Sequence, residues 1–152
     1  MCRKKGLICM QHDESGSKLD LMQYRLETAK EALNDAELLF VHGSYKAANN
    51  RAYYAIYHAV SAVHALSGKA YKRHKDAIAN FNKDYVKTGI FASSLGRKIA
   101  MAERIRNASD YDDFYIARKT DVRQQIDDAK EVLAEIENYC SIGKTSHKEK
   151  EW

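Results

Sequence analysis

The sequence contains no proline, so nothing in it forces a helix to break along its 152 residues. Proline disrupts a helix interior because it lacks an amide hydrogen and its ring clashes with the preceding turn. The hydrophobic share of 45% and the charged share of 30% are those of a folded domain rather than a disordered chain. Alanine, leucine, glutamate and lysine, which favour helices, recur along the chain. We therefore predict an all-α fold.

Cysteine is scarce, and its placement is uninformative. Cys2, Cys9 and Cys140 form neither an even set for disulfides nor a metal-binding spacing, so we expect reduced thiols, as in the cytoplasm. The apolar run over residues 6–10 is too short for a signal sequence or a membrane span. We therefore expect a cytoplasmic protein without membrane contact. The formal net charge of +4 permits binding to phosphate but does not require it, because acids and bases are mixed along the chain.

Motifs of the common enzyme and metalloprotein classes are also missing. The sequence has no glycine-rich phosphate loop, no Cys-x-x-Cys and no nucleophile elbow. No histidine follows a glutamate at the three-residue spacing that ferritin-type di-iron sites use. Residues 110–121 faintly resemble a calcium loop, but Tyr115 stands where glycine is needed and Asp121 where a bidentate glutamate is needed. We predict neither a metal nor a cofactor.

Residues 44–67 are the most informative stretch of the chain. Alanines recur there at steps of three or four, which places them in one line along a helix. A line of small side chains lets a neighbouring helix approach closely, and apolar side chains cover most of the remaining surface. The stretch therefore predicts a helix in the middle of a bundle. The alanines are Ala48, Ala52, Ala55, Ala59 and Ala62.

One strip of this central helix is polar, and a buried polar strip needs partners. We expect the strip to face a second polar surface, the end of the fourth predicted helix, which carries arginines. Guanidinium groups hold phosphates by paired hydrogen bonds. An alternative is a buried network that only fixes helix register, with Arg51 paired to a carboxylate such as Asp110. We predict a shared pocket for a nucleotide, RNA or a protein partner, formed by Asn50, Arg51, Tyr54, His58, Arg104 and Arg106.

The remaining pattern predicts an antiparallel, up-and-down bundle of four to five helices, because apolar seams repeat at helical spacing. We divide the chain into a flexible N-terminal tail, 1–17, the bundle, 18–141, and a charged C-terminal tail, 142–152. The basic stretch 69–75 is a loop or helix start, or alternatively a contact for phosphate. The predicted helices cover 18–42, 44–67, 75–87, 94–107 and 120–140.

Residues 44–59, SYKAANNRAYYAIYHA, and 106–114, RNASDYDDF, resemble the HEPN domain family (higher eukaryotes and prokaryotes nucleotide-binding). The resemblance spans about residues 18–140. It implies a helical bundle that forms homodimers, and frequent pairing with a small nucleotidyltransferase in toxin–antitoxin systems. Many HEPN members are metal-independent ribonucleases whose motif is an arginine, a gap of roughly four to six residues and a histidine. Arg106 and Asn107 match its start, whereas non-histidine residues occupy the later positions.

Three functions remain open. The first is a dimeric module that binds nucleotide, RNA or a nucleotidyltransferase. The second is a ribonuclease toxin with a variant site, in which Tyr111 or His58 moves the proton; its catalytic residues would be Arg106, Asn107, Asp110 and Tyr111. The third is a purely structural interaction module. We favour the first, because an ordinary aspartate is a poor acid and an ordinary tyrosine a poor base near neutral pH. By analogy with HEPN toxins, Tyr111 is also a candidate for modification by a nucleotide-transferring partner.

Overall fold

The structure is a computed structural model that describes the backbone of residues 14–150 and the side chains of residues 17–143. Most of the predicted N-terminal tail therefore lies outside the described residues, and its last four residues belong to the first helix. Within the described range the chain is helical and contains no strand, so the predicted all-α bundle is confirmed. The helices are α1 (Glu14–Val41), α2 (Tyr45–Leu66), α3 (His74–Phe81), α4 (Ser93–Tyr111) and α5 (Lys119–Lys150), with a π-helical turn at Asn82–Val86.

The central position of α2 follows from its small and apolar surface. It packs against α1, α3, α4 and α5, and the five aligned alanines are all buried. The link from α1 is short because Gly43 adopts φ 79°, a left-handed conformation that favours glycine. The amide of Ser44 then bonds to the carbonyl of Leu39 at 2.9 Å, which closes the end of α1. The two helices are consequently antiparallel neighbours, as predicted.

Besides the earlier start of α1, three parts of the chain differ from the helix prediction. Helix α4 continues through residues 108–111, which we expected in a loop, so that loop shrinks to 112–118. Helix α5 continues past 140 to Lys150, through most of the expected charged tail. The segment after Phe81 forms a π-helical turn, in which the amide of Lys87 reaches the carbonyl of Asn82 at 2.9 Å. Acidic and aromatic residues suggested a loop after 107, but helical hydrogen bonding continues there.

The extension of α4 matters for function because it keeps residues 103, 106, 107 and 110 on one regular helix beside α2. Residues three or four apart on a helix are neighbours on its surface. Helix α3 begins at His74 and packs on α2, so α2, α3 and α4 meet at one corner of the bundle. No helix within the described residues is long and apolar enough to span a bilayer.

Candidate functional site

Arg106 of α4 lies at the corner where α2, α3 and α4 meet. Its guanidinium carbon is 4.9 Å from the ring centroid of Tyr53 and 5.7 Å from that of Tyr54. Both rings belong to α2, so each presents its π-electrons to the cation. The Arg106 side chain is 25% exposed, although its Nε is buried. The two aromatic rings therefore hold the guanidinium without themselves carrying a compensating charge.

His74 completes the corner from the start of α3. Its ring stacks on Tyr57 with centroids 3.8 Å apart. The Nδ1 atom lies 3.1 Å from the hydroxyl of Tyr53 and 3.4 Å from Nη1 of Arg106. Because a guanidinium can only donate, Nδ1 must accept, and the neutral ring carries its proton on Nε2. The Nε2–H is thus the donor that remains on the ring.

The environment shifts the pKa values of both His74 and Tyr53. Burial, together with the positive charge of Arg106, lowers the pKa of His74, so the free ring is neutral near neutral pH. Burial raises the pKa of Tyr53 to about 12, although Arg106 opposes this shift. The Tyr53 hydroxyl therefore stays protonated and donates to His74. The pair holds its arrangement across the physiological range.

A cavity of about 310 Å³ opens beside these groups, and we call it the Arg106 cavity. It contains both cationic donors and a carboxyl group. Burial raises the pKa of the Glu103 carboxyl, while Lys75 and Arg106 act in the opposite direction. The combination suits a phosphate-bearing ligand, since guanidinium and ammonium groups bind its oxygens. The cavity is lined by Tyr53, His74, Lys75, Glu103, Arg106 and Asn107.

The structure brings several sequence-predicted site residues together. The guanidinium carbon of Arg51 is 4.9 Å from the centroid of Tyr54, so Arg51 and Arg106 share this ring. Asn107 lines the Arg106 cavity. The carboxylate of Asp110 is 3.4 Å from Nε of Arg106, so it pairs with Arg106 rather than with Arg51. The geometry of that contact is ionic only, because Nε itself makes no hydrogen bond.

Other predicted site residues lie apart from the cavity lining. Asn50 is half-buried and outside it. His58 packs near Tyr54, with ring centroids 6.0 Å apart. Burial is the main cause that lowers the pKa of His58, and the positive charge of Arg51 adds to it. Arg104 is exposed and contacts the sulfur of Met101. The side chain of Tyr111 is 84% exposed, at the very end of α4.

Sequence reasoning missed four residues of the cavity: Tyr53, His74, Lys75 and Glu103. Two signals were available. Glu103 precedes Arg106 by three residues, which places both on one helix face. His74 and Lys75 close the basic stretch 69–75, for which phosphate contact was the alternative prediction. The contact between His74 and α2 is tertiary, so the periodicity of a single helix could not predict it.

Comparison with known proteins identifies the family. The model of the HEPN domain matches residues 22–139, most of the chain. The chain belongs to the HEPN family. A relative from Thermotoga maritima, named "UPF0332 protein", is 32% identical over 120 residues, which cover 79% of this chain and 91% of the relative. A relative from Methanocaldococcus jannaschii, named "Putative toxin MJ0605", is 33% identical over 90 residues, or 59% of this chain and 67% of the relative.

Proposed function

We propose that this HEPN protein binds a phosphate group of RNA or of a nucleotide in the Arg106 cavity, as a module of a toxin-type system. The observation that carries the proposal is the placement of Arg106. Its guanidinium is held by two aromatic rings and one histidine, yet remains partly open beside a cavity. A guanidinium has five N–H donors, and one of those on Nη1 goes to His74. Nε is buried and faces the Asp110 carboxylate, so the remaining Nη donors are the ones that would bind phosphate oxygens.

His74 supports the same function through its proton. With Nδ1 occupied by Tyr53 and Arg106, the Nε2–H is the group left to donate to a phosphate oxygen. The negative charge of a bound phosphate would raise the pKa of His74, because an opposite charge nearby favours the imidazolium. Binding would then be coupled to proton uptake.

The experiment compares two arginine variants on the same helix. Arg106→Ala should weaken binding of a short, labelled single-stranded RNA by about 10- to 100-fold, the value of one or two charge-assisted hydrogen bonds. Arg97→Ala removes the same charge from an exposed site nine residues, or about two and a half turns, before Arg106 on the opposite side of α4, and should leave binding unchanged. Circular dichroism checks that both variants stay helical. Equal RNA affinity for wild type and Arg106→Ala would refute the proposal.

A toxin–antitoxin context and a partner protein belong to this proposal. The name of the M. jannaschii relative supports a toxin-type role. The end of α4 and the loop after it expose large apolar side chains, with Tyr111 84%, Phe114 90% and Ile116 77% exposed. Such a patch supports contact with a second copy or with a nucleotidyltransferase. Sedimentation of Phe114→Ser should show a weaker homodimer than wild type.

The exposed hydroxyl of Tyr111 also supports the proposed modification by a nucleotide-transferring partner. Co-expression with a nucleotidyltransferase encoded beside this protein should add nucleotide mass to wild type. The same mass increase in Tyr111→Phe would show that another residue is the acceptor.

A second candidate function is metal-independent RNA cleavage, favoured by Glu103 and His74 lining the same cavity. Cleavage needs a base to take the 2′-hydroxyl proton as its oxygen attacks phosphorus, and an acid to protonate the leaving 5′-oxygen. The Glu103 carboxylate would take the first proton, and His74, protonated beside the bound phosphate, would give the second. Arg106 would stabilise the negative charge that develops on the non-bridging phosphate oxygens.

This assignment moves the proton transfer from Tyr111 or His58, neither of which lines the cavity, to Glu103 and His74. RNA incubated with metal-free protein is the test. Cleavage that is lost in Glu103→Gln and His74→Ala but kept in Tyr111→Phe supports the ribonuclease. If wild type binds RNA through Arg106 without cleaving it, the protein is a binding module only.

A further inference from the structure

A second cavity of about 280 Å³ adjoins the Arg106 cavity, and we call it the apolar cavity. It lies between α4 and the segment made of α3 and the π-helical turn. Its lining is mostly hydrocarbon and aromatic, from Ile78, Phe81, Val86, Ile99 and Ala100. Lys75 and Glu103 line both cavities. The two spaces therefore share a wall, with a polar space on one side and an apolar space on the other.

Two polar side chains at the apolar cavity have unused hydrogen-bonding capacity. Asn82 and Glu103 both line it, and neither donates or accepts a side-chain hydrogen bond with any residue whose side chain the structure describes. The Asn82 amide can both donate and accept, while an ionised Glu103 can only accept. Neither side chain has a fully buried polar atom without a partner, so water serves these groups in the free cavity. Polar groups of a ligand can replace that water.

We propose that the two cavities together bind one ribonucleotide unit. The phosphate lies at Arg106 and His74, the ribose hydroxyls donate to Glu103 at the boundary, and the base enters the apolar cavity toward Asn82. The proposal rests on the proposed phosphate binding and specifies its ligand. The proposal follows from the order of the groups along the two cavities. The cations line the Arg106 cavity, the Glu103 carboxylate lies at the boundary, and the apolar cavity beyond it contains the Asn82 amide.

The carboxylate at the boundary decides which part of a ligand can stand there. A second phosphate would be repelled by Glu103, because like charges close together are unfavourable. A hydroxyl group donates to a carboxylate without that cost. The next part must be flat and apolar on its faces to fit against Phe81 and the aliphatic side chains, with polar atoms on its edge for Asn82. A nucleobase has this character.

Close packing at Gly96 sets the width of the apolar cavity. A β-carbon at this position would lie 2.9 Å from Cγ1 of Val86 and 3.4 Å from Oδ1 of Asn82. Helix α4 therefore approaches the π-helical turn as closely as a glycine allows. A substitution at Gly96 would force these atoms apart. Ala100→Leu fills the cavity with less disturbance, because Ala100 is an exposed alanine at the cavity wall. Ala134→Leu on α5 is the matched control, since Ala134 is also exposed and lines neither cavity.

The test uses titration calorimetry with three kinds of probe: inorganic phosphate, ribose 5-phosphate and the four ribonucleoside 5′-monophosphates. At least one monophosphate should bind about tenfold or more tightly than ribose 5-phosphate, as expected for a buried base. Ala100→Leu should remove that advantage and leave inorganic phosphate binding unchanged, and Ala134→Leu should change neither.

The outcomes separate the two proposals. If inorganic phosphate binds in an Arg106-dependent manner but no monophosphate exceeds ribose 5-phosphate, the base site is wrong and the phosphate site stands. An advantage that survives Ala100→Leu likewise places the base elsewhere and overturns the inference. If no probe binds and RNA binding is indifferent to Arg106→Ala, both proposals fail.

Discussion

Nη1 of Arg106 donates a hydrogen bond to Nδ1 of His74 across 3.4 Å, so a permanent cation and a titratable ring share one contact. The bond exists only while Nδ1 is unprotonated, because a guanidinium has no acceptor. Protonation of His74 in the empty cavity would therefore break the bond and place two positive charges side by side. A bound phosphate reverses this preference, because its negative charge compensates both cations.

The first prediction is that RNA binding strengthens as the pH falls. The pKa of free His74 lies below the ordinary 6.5, and a bound phosphodiester should raise it. Between these two pKa values binding takes up a proton, so affinity should increase by up to about tenfold for each unit of falling pH. Fluorescence titration with single-stranded RNA between about pH 5 and 8 measures the slope, and the phosphodiester ligand itself does not titrate there.

Other titratable groups near the cavity require a control for this slope. His58 and Glu103 also have shifted pKa values, so part of any pH dependence belongs to them. His74→Asn keeps a polar side chain that cannot be protonated and should remove most of the slope. A slope that is the same in His74→Asn and in wild type would assign the proton uptake to another group.

The sequence predicted those features that depend on local periodicity. The alanine line placed α2 at the centre of the bundle, and the short link at Gly43 set its orientation to α1. The shared pocket of Arg51 and Arg106 stays a prediction: both guanidinium groups lie near the ring of Tyr54, but of the two only Arg106 lines the Arg106 cavity. The sequence could not show that His74, thirty-two residues before Arg106 at the start of another helix, accepts a hydrogen bond from it. Such contacts depend on how helices dock, which no single helical pattern contains.

The second prediction concerns stability in mild acid. His64 is buried, and its Nε2–H donates to the carbonyl of Ala77 at 2.8 Å. Its Nδ1 is buried without a partner, and burial lowers its pKa below 6.5. The unfolded chain therefore binds this proton at a higher pH than the folded chain does. Stability should be complete above pH 6.5 and decrease as the pH falls below it, toward the folded-state pKa.

Urea unfolding at neutral pH and near pH 5, within the range where histidines titrate, measures this loss. His58 and His74 contribute in the same direction, because burial lowers their pKa values too. His64→Gln should reduce the pH dependence while lowering stability at neutral pH. A urea midpoint that is independent of pH in wild type would show that His64 is not held neutral.

The third prediction concerns the ion pair that joins α1 to α5. Both nitrogens Nη1 and Nη2 of Arg123 donate to Glu37, at 2.9 and 2.7 Å, and Lys130 also pairs with this carboxylate. The hydrogen bond from Arg123 is the main reason that the pKa of Glu37 falls to about 2. Both side chains are about one-third exposed, at 30% and 34%, so solvent screens the pair. Glu37→Gln should cost about 1 kcal/mol at neutral pH.

The cost of Glu37→Gln should shrink as the pH falls from 4.5 toward 2, the window between the ordinary pKa of glutamate and that of folded Glu37. Glu31→Gln is the control, because Glu31 is an exposed glutamate of α1 without a partner among the described side chains. Chemical denaturation of both variants at several pH values gives the comparison. A Glu31→Gln effect as large as that of Glu37→Gln would mean that the loss reflects net charge rather than the pair.

The fourth prediction tests the close approach of helices along α2. Ala59 is fully buried in the alanine line, where neighbouring side chains leave no room for a larger group. Ala59→Leu should therefore lower the free energy of unfolding by about 1–3 kcal/mol, because overpacking forces side chains off their preferred rotamers. Ala47→Leu makes the same change at an exposed position of the same helix and should be nearly neutral. Thermal and urea unfolding of the two variants separate two effects. The change in helix propensity is the same in both variants, whereas only Ala59→Leu changes the packing between helices. If both leucine variants were as stable as wild type, α2 would not be tightly enclosed, and the fixed positions of Tyr53 and Tyr54 around Arg106 would lose their structural basis.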